Sequence, residues 1–327
     1  MVVQICIVKL SAFGDIVHAS IILQFIKANI KDAQISWVCE ERFSDLLQSH
    51  ELIDTLITLN LKEGKFKNSL KALKNSPKFD IVIDMQGLIK SAIISRILSK
   101  NVVGFDRKSI RESAASLLYK RKISSNYSTN IVLRNLTLVS KALNFSFNQS
   151  EILNKQICFK YKYDKSSNLE LSCDKKRILI AVGSSIKAKI YPQDNQIKLI
   201  NSLSQYEIWL LAIGEFEENL AKNLANKTKA KILPTMSLSE FASNISKFDL
   251  VIGGDTGPTH LAWAQNTPSI TLFGYTPHYR NAYITKQNLV LDSGKNIDAL
   301  NLNKNDYCIA EISPETIALK AKDLLSG

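Results

Sequence analysis

The sequence predicts an α/β protein made of two doubly wound parallel sheets in series, and three observations lead there. Short apolar runs alternate with helical periodicities along most of the 327 residues. The alternation weakens once, between Phe147 and Lys176, then restarts, which sets domains of 1–165 and 166–327. Most side chains able to do chemistry fall just after an apolar run and just before a helix. Those are the carboxyl ends of strands, where ligands bind such sheets.

Each element has a local reason. Val2 to Val8, apolar but without a basic flank or cleavage signal, is expected to be a first strand and not a secretory peptide. A helix is expected from Asp15 to Ile30, with Ile16, Ala19, Leu23, Ile26 and Ile30 at helical spacing. Ile35 to Cys39 is a strand, a helix starts near Arg42, and Leu56 to Leu59 is a weak strand. Lys65 to Asn75 reads as a basic amphipathic helix. Asp80 to Asp84 is a strand, Leu88 to Leu98 a helix, Val102 to Gly104 a short strand and Asn130 to Leu143 a longer helix. Lys155 to Tyr163 alternates before a polar stretch.

The second set begins with a strand at Arg177 to Val182. Ile208 to Ile213, Lys231 to Leu233, Leu250 to Ile252 and Ser269 to Phe273 are strands; Glu217 to Ala225 and Leu238 to Ile245 are helices. Gly253 and Gly254 are expected to break their strand, with Asp255 and Thr256 as helix caps and Pro258 in the first turn. Ser313 to Leu325 is a terminal helix, with Ser313 as cap and Pro314 in the first turn. It is expected to pack back on the first domain.

No apolar run approaches the ~20 residues of a membrane span. The five cysteines are scattered and lack C-x-x-C spacing, which argues against a disulfide framework or zinc site and for a reducing cytoplasm. Net charge is +12, and residues 60–122 hold eleven Lys and four Arg against five acids, hence ten of those charges. Such a face suits nucleic acid, an anionic membrane or a phosphorylated substrate, or is simply solvated. Nucleic acid fits least, for no RNP pattern, helix-turn-helix spacing or zinc knuckle is visible.

The candidate residues follow the strands. Gly14 permits a tight turn or close backbone approach. Asp15 then stands at a helix mouth, where two roles fit: an N-cap worth roughly 1 kcal/mol, or a catalytic base for an acceptor hydroxyl. Gln86, Lys90 and Ser91 follow the Asp84 strand end; Lys90 fits a surface lysine equally well. Arg107, Lys108, Arg111, Arg121 and Lys122 suit carboxylates or phosphates. Ser184 and Ser185 with Lys189 suit a diphosphate, although no P-loop order is present. Glu217 fits ribose hydroxyls or a helix-start acid, and Met236 fits core filling. The helix after Asp255 offers amides and a positive dipole end to a pyrophosphate, beside Thr256 and His260.

Together these residues resemble the lipopolysaccharide heptosyltransferases. Asp255-Thr-Gly-Pro-Thr-His260 matches that family's D-T-G-x-x-H, and Leu272-Phe-Gly-Tyr-Thr-Pro277 its trailing F-G-x-T. Ile7-Val-Lys-Leu-Ser-Ala-Phe-Gly-Asp-Ile-Val-His18, Trp37-Val-Cys-Glu-Glu-Arg-Phe43 and Asp84-Met-Gln-Gly-Leu-Ile-Lys-Ser-Ala92 resemble the type I members. The resemblance covers nearly the whole chain.

It implies a GT-B fold, two Rossmann-like domains facing across a cleft, the first for the acceptor and the second for the donor. It implies inverting transfer of L-glycero-D-manno-heptose from ADP-heptose to the inner 3-deoxy-octulosonic acid (Kdo) of Kdo-lipid A. By the same resemblance Asp15 is the catalytic base. Ser184, Ser185 and Lys189 meet the diphosphate, Glu217 the ribose (with Glu215 and Glu218 as alternatives) and Met236 the adenine. Asp255, Thr256, Gly257 and His260 hold the diphosphate and sugar. Gly14, Gln86, Lys90, Arg107, Arg111 and Arg121 are expected on the acceptor side. The chain departs from some relatives in Ser for Thr at the hydroxyl pair and in Ile190-Tyr191 for His-Trp. No D-x-D pair is placed to hold a metal, so a metal-independent enzyme without cofactor is expected. It is further expected to be a cytoplasmic monomer, peripheral to the anionic inner membrane, that binds no nucleic acid. Two rivals stay open: a type II enzyme adding the second heptose, and a non-catalytic nucleotide-binding module that docks on membranes.

Overall fold

The computed structural model describes residues 2–61, 69, 71, 73–166, 169, 171 and 174–326. The chain divides into two compact units, Met1–Lys165 and Ser166–Gly327. Each is built on one six-stranded parallel sheet.

In the first unit the strands are β1 (Val3–Val8), β2 (Ala33–Glu40), β3 (Thr55–Leu59), β4 (Ile81–Asp84), β5 (Val102–Phe105) and β6 (Arg121–Ile123), in the order β3-β2-β1-β4-β5-β6. Ile5 to Val8 are fully buried, as helices on both faces of a parallel sheet require. The helices are α1 (Phe13–Ser20), α2 (Ile22–Asn29), the short α3 (Ser44–Leu47), α4 (Ile89–Leu98), α5 (Ile131–Leu143) and α6 (Gln149–Leu153). The single helix expected from Asp15 to Ile30 is thus two, interrupted at Ile21, whose backbone stays in the right-handed helical region (φ −55°, ψ −30°). Much of the expected basic helix Lys65–Asn75 lies outside the described residues; 69, 71, 73 and 74 are helical. The alternation of Lys155 to Tyr163 yields only an isolated bridge, His50 to Tyr161.

The second unit repeats the plan. Its strands are β7 (Arg177–Ala181), β8 (Glu207–Leu211), β9 (Lys231–Ile232), β10 (Leu250–Gly254), β11 (Ser269–Phe273) and β12 (Asn288–Asp292), ordered β12-β11-β10-β7-β8-β9. Counted from β7 this is again a 3-2-1-4-5-6 sheet, the Rossmann order. Its helices are α7 (Gln193–Ser202), α8 (Glu215–Lys227), α9 (Leu238–Asn244), α10 (Gly257–Ala264), α11 (His278–Asn281) and α12 (Pro314–Ser326). The terminal helix α12 packs on α7, β10 and β11. It buries Ile317, Ala318 and Ala321 there, among Leu199, Leu250 and Ile270.

Two strands escaped the sequence reading, β6 and β12. Both are edges and carry polar or half-exposed residues; pairing with a neighbour, not alternation, makes them strands. The described cysteines, Cys6, Cys39, Cys158 and Cys308, are free and buried. Among the described residues no helix is long and apolar enough to cross a membrane.

The strand order decides where a site can lie. It reverses between β1 and β4 in one unit and between β7 and β10 in the other. Crossovers there leave on opposite faces, opening a crevice at the carboxyl ends of those strands.

Candidate active site

In the second unit the switch point joins the loop after β7 to the start of α10. The expected break at Gly253-Gly254 does not occur, because both glycines end β10 inside the sheet. Their smallness serves packing: a Cβ on Gly254 would run into the carbonyl of Lys189, and one on Gly253 would come within 2.8 Å of the Ala181 side chain. The loop after β7 can therefore lie directly on β10.

That contact delivers Lys189 to Asp255. Lys189 Nζ donates to Asp255 Oδ2 at 2.7 Å and to its backbone oxygen at 2.9 Å. His260, one turn into α10, gives its Nε2–H to Oδ1 at 3.0 Å. Thr276 Oγ1 and Asn281 Nδ2 donate to Oδ2 at 2.8 and 3.1 Å. The Asp255 side chain is only 3 % exposed. Burial opposes its charge, but Lys189 and then His260 outweigh that, and the carboxyl is held well below the usual carboxylate range. Asp255 is therefore an anchor, not the helix cap the sequence suggested. It takes two of the three ammonium donors of Lys189 and fixes the His260 ring.

Thr256 is the N-cap of α10, yet its hydroxyl bonds backward to the Gly254 carbonyl at 3.3 Å. No side chain caps the helix, so its first amides face outward with the dipole's positive end; Pro258 has no N–H to leave unpaired. Lysine, helix end and buried counter-charge form an anion-binding corner. Ser184 and Ser185 lie on the loop beside it; Ser184 Oγ also accepts from the Ile186 amide at 3.2 Å. Of the three acids at the start of α8, only Glu217 turns inward, against Gly183, accepting from the Ile213 amide at 2.9 Å. Burial raises its carboxyl above the ordinary value, against that hydrogen bond. Glu215 and Glu218 are exposed. Met236 is half-buried in the loop leading to α9, which Ser237 caps through the Glu240 amide.

In the first unit the switch point gathers Lys9, Asp15 and Gln86. Asp15 is the third residue of α1, not its N-cap, and Gly14 lies inside the helix. Asp15 Oδ2 accepts from the Ala12 amide at 3.2 Å, so it does reach back to the helix start. Its other oxygen lies 3.7 Å from buried Lys9 Nζ, and its side chain remains 46 % exposed. A helix-start role and an accessible carboxylate thus coexist in one residue. Gln86 Oε1 accepts from the Leu10 and Ser11 amides at 3.0 and 3.2 Å, tying the turn after β4 to the loop that leads into α1. Fully buried Asp84 holds that turn. It accepts from the amides of Gln86 (2.9 Å) and Gly87 (3.1 Å), the latter at φ +71°, and from Ser91 and Tyr119 hydroxyls at 2.8 Å. Burial raises its carboxyl, and these hydrogen bonds oppose the rise.

The cations expected on the acceptor side divide. Lys90 is exposed and pairs with Glu40 at 3.3 Å. Arg107 and Arg111 are exposed on the loop after β5, and Ile110 of that loop packs on Gly87. Arg121 is elsewhere: its guanidinium donates to the Ala142 and Lys141 carbonyls, closing the carboxyl end of α5. Sequence reasoning passed over Lys9, Asp84, Thr276 and Asn281. The first three stand inside segments already singled out; Asn281 left no local signal.

A measurement separates the two roles open to Gln86. Gln86→Ala strands two backbone amides, at about 1 kcal/mol each. Calorimetry should show a lower Tm together with a lower kcat, and Gln86→Glu, which keeps the acceptor oxygen, should restore both. A rise in acceptor KM at unchanged Tm would make Gln86 a substrate ligand instead.

Residues 66–307 match the family model for glycosyltransferase family 9 (heptosyltransferase). The chain belongs to this family. It is a glycosyltransferase, a heptosyltransferase by family. It is 41 % identical to lipopolysaccharide heptosyltransferase 1 of Campylobacter coli, over 98 % of both chains. E. coli heptosyltransferase WaaC with ADP superposes with a TM-score of 0.79 at 24 % identity, covering 98 % of this chain and 99 % of that one. The WaaC complex with ADP-2-deoxy-2-fluoro heptose gives 0.77 at 25 % identity, with the same coverage. The fold of this family 9 enzyme is accordingly GT-B-like, and its two Rossmann sheets are what the family resemblance implied. Among the described residues, no group of three or more His, Cys, Asp and Glu is placed to hold a metal.

Proposed function

We propose that this heptosyltransferase is the type I enzyme, moving L-glycero-D-manno-heptose from ADP-heptose to the inner Kdo of Kdo-lipid A with inversion. The carrying observation is the Lys189–Asp255–His260 cluster at the uncapped end of α10. It supplies fixed positive charge where a diphosphate leaves. The second unit is the donor domain: Lys189, the Gly257 amide and Ser184 and Ser185 meet the diphosphate, His260 the sugar, Glu217 the ribose and Met236 the adenine. The first unit is the acceptor domain: Asp15 takes the proton of the attacking Kdo hydroxyl as the bond to the anomeric carbon forms and ADP departs. Gly14, Lys90, Arg107 and Arg111 border the acceptor. The 41 % identity to a type 1 enzyme favours type I over type II.

The decisive experiment supplies ADP-heptose with Kdo-lipid A, or with the same acceptor already carrying one heptose, and follows products by mass spectrometry. Product from the first acceptor alone is expected. Product only from the second means type II, and ADP binding without product from either means a non-catalytic module. ADP-mannose alongside tests donor preference.

The charge that stabilises the leaving group comes from the protein itself, so a metal-free reaction is proposed. EDTA should leave turnover within about twofold of the untreated rate; recovery of lost activity on adding Mg²⁺ would refute this. The enzyme is proposed to act as a monomer on the cytoplasmic face of the inner membrane, held by its basic first unit, each cation contributing up to ~1 kcal/mol.

A further inference from the structure

Helix α4 leads directly away from the turn that carries Gln86, and its outward face is unlike that of a solvated helix. Ile89, Ile93 and Ile97 recur at i, i+4 and i+8 and are 40–46 % exposed. Lys90, which also pairs with Glu40 at 3.3 Å, and Arg96 share that face, within about 120° of arc at 3.6 residues per turn, and exposed Lys100 follows just past the helix end. The opposite side buries Ser91, Ala92, Ile94 and Ser95 against the sheet. The helix holds no acid. The 3-10 turn of residues 113–118 packs beside it and shows Leu117 at 78 % exposure.

Single exposed apolar residues are ordinary. A stripe of three between cations, with no acid interleaved, is the pattern of a helix lying in a lipid interface: apolar side chains among acyl chains, long basic ones reaching the headgroups. We propose that α4 and Leu117 form the membrane-contacting face of this enzyme and insert into an anionic bilayer. Charge complementarity picks this occupant. Arg96 and Lys100 flank the stripe in a chain of net charge +12, so two copies meeting through this face would repel, whereas anionic lipid attracts it. A bilayer against α4 brings lipid headgroups beside the turn of Gln86 and the start of α4 at Lys90, where a lipid-anchored acceptor must present its sugar. The inference rests on the proposed lipid acceptor and adds the surface that reaches it.

The test uses the full chain with phosphatidylglycerol-containing and pure phosphatidylcholine vesicles, at low and high salt. Ile93→Ser with Ile97→Ser should weaken binding to the anionic vesicles at least tenfold at both salt levels. Arg96→Gln with Lys100→Gln should weaken it mainly at low salt. The isoleucine variant should keep wild-type transfer to a deacylated, water-soluble acceptor and raise KM only for vesicle-borne acceptor. In a second readout, Ile93→Cys carrying a polarity-sensitive fluorophore should shift to the blue on anionic vesicles. Unchanged binding by the isoleucine pair, or an unshifted fluorophore, overturns the proposal, as does self-association through this face in place of vesicle binding. Failure of the wild-type enzyme to glycosylate the soluble acceptor would count against the proposed function and leave the docking face standing.

Discussion

Asp15→Asn is expected to lower kcat by about 10²–10⁴-fold, the usual contribution of a positioned general base, while ADP-heptose affinity stays within about twofold. The substitution is nearly isosteric. Its amide oxygen can still accept from the Ala12 amide, the 3.2 Å bond that Asp15 Oδ2 makes at the start of α1. What is lost is the proton acceptor and the ion pair with Lys9 at 3.7 Å. The Asp15 end of that pair is half-exposed, which limits the cost, but buried Lys9 loses its counter-charge, so Tm should fall modestly. Calorimetric ADP-heptose binding and single-turnover transfer are the measurements. A variant turning over near the wild-type rate with normal pH dependence would remove Asp15 from the chemistry and leave it a helix-start residue alone.

Asp255→Asn should damage both stability and donor binding, because it leaves Lys189 without its counter-charge. The Lys189 side chain is 18 % exposed and the Asp255 side chain 3 %. Breaking a pair buried to that degree costs about 3–5 kcal/mol, most of it the penalty of the stranded charge. For a unit of this size the expected fall in Tm is roughly 6–20 °C. The amide keeps one acceptor oxygen where the carboxylate offered two, so either His260 or the Thr276–Asn281 pair loses its acceptor, and with Lys189 no longer held by charge the ADP-heptose affinity should fall at least tenfold.

The sign of the pH dependence follows. The folded-state pKa of Asp255 is depressed well below its unfolded value of about 4, its burial being outweighed by Lys189 and His260. Its contribution is therefore fully present above about pH 4 and is lost as pH falls through the folded value. Melting curves should show wild type losing its advantage over Asp255→Asn in acid. An advantage that instead grew below pH 4 would mean the pair is not ionised in the folded protein.

Much of this architecture was legible beforehand, and each success has a local cause. Ile5 to Val8 and Leu250 to Ile252 read as strands because a parallel strand covered on both faces is apolar throughout. The helix read from Asn130 to Leu143 starts at Ile131, with Asn130 as the cap whose side chain accepts from the Val132 amide. The misses share a cause as well. β6 is a three-residue edge, Arg-Lys-Ile, whose strand geometry comes from pairing with β5. Arg121, in that strand, carried the charge expected of an acceptor ligand; only the fold shows that it faces the last carbonyls of α5.

The sequence by itself determined the alternation of strand and helix, the family motif and the placement of reactive residues at strand ends, because periodicity, turn chemistry and motif order are properties of neighbours along the chain. The tertiary structure alone decided what each of those residues does. Asp255 draws its partners from the loop after β7, from α10, from the segment after β11 and from α11. Gln86 spends its oxygen on amides about 75 residues away. Burial and Coulomb attraction depend on distance in space, and no pattern along the chain encodes that distance.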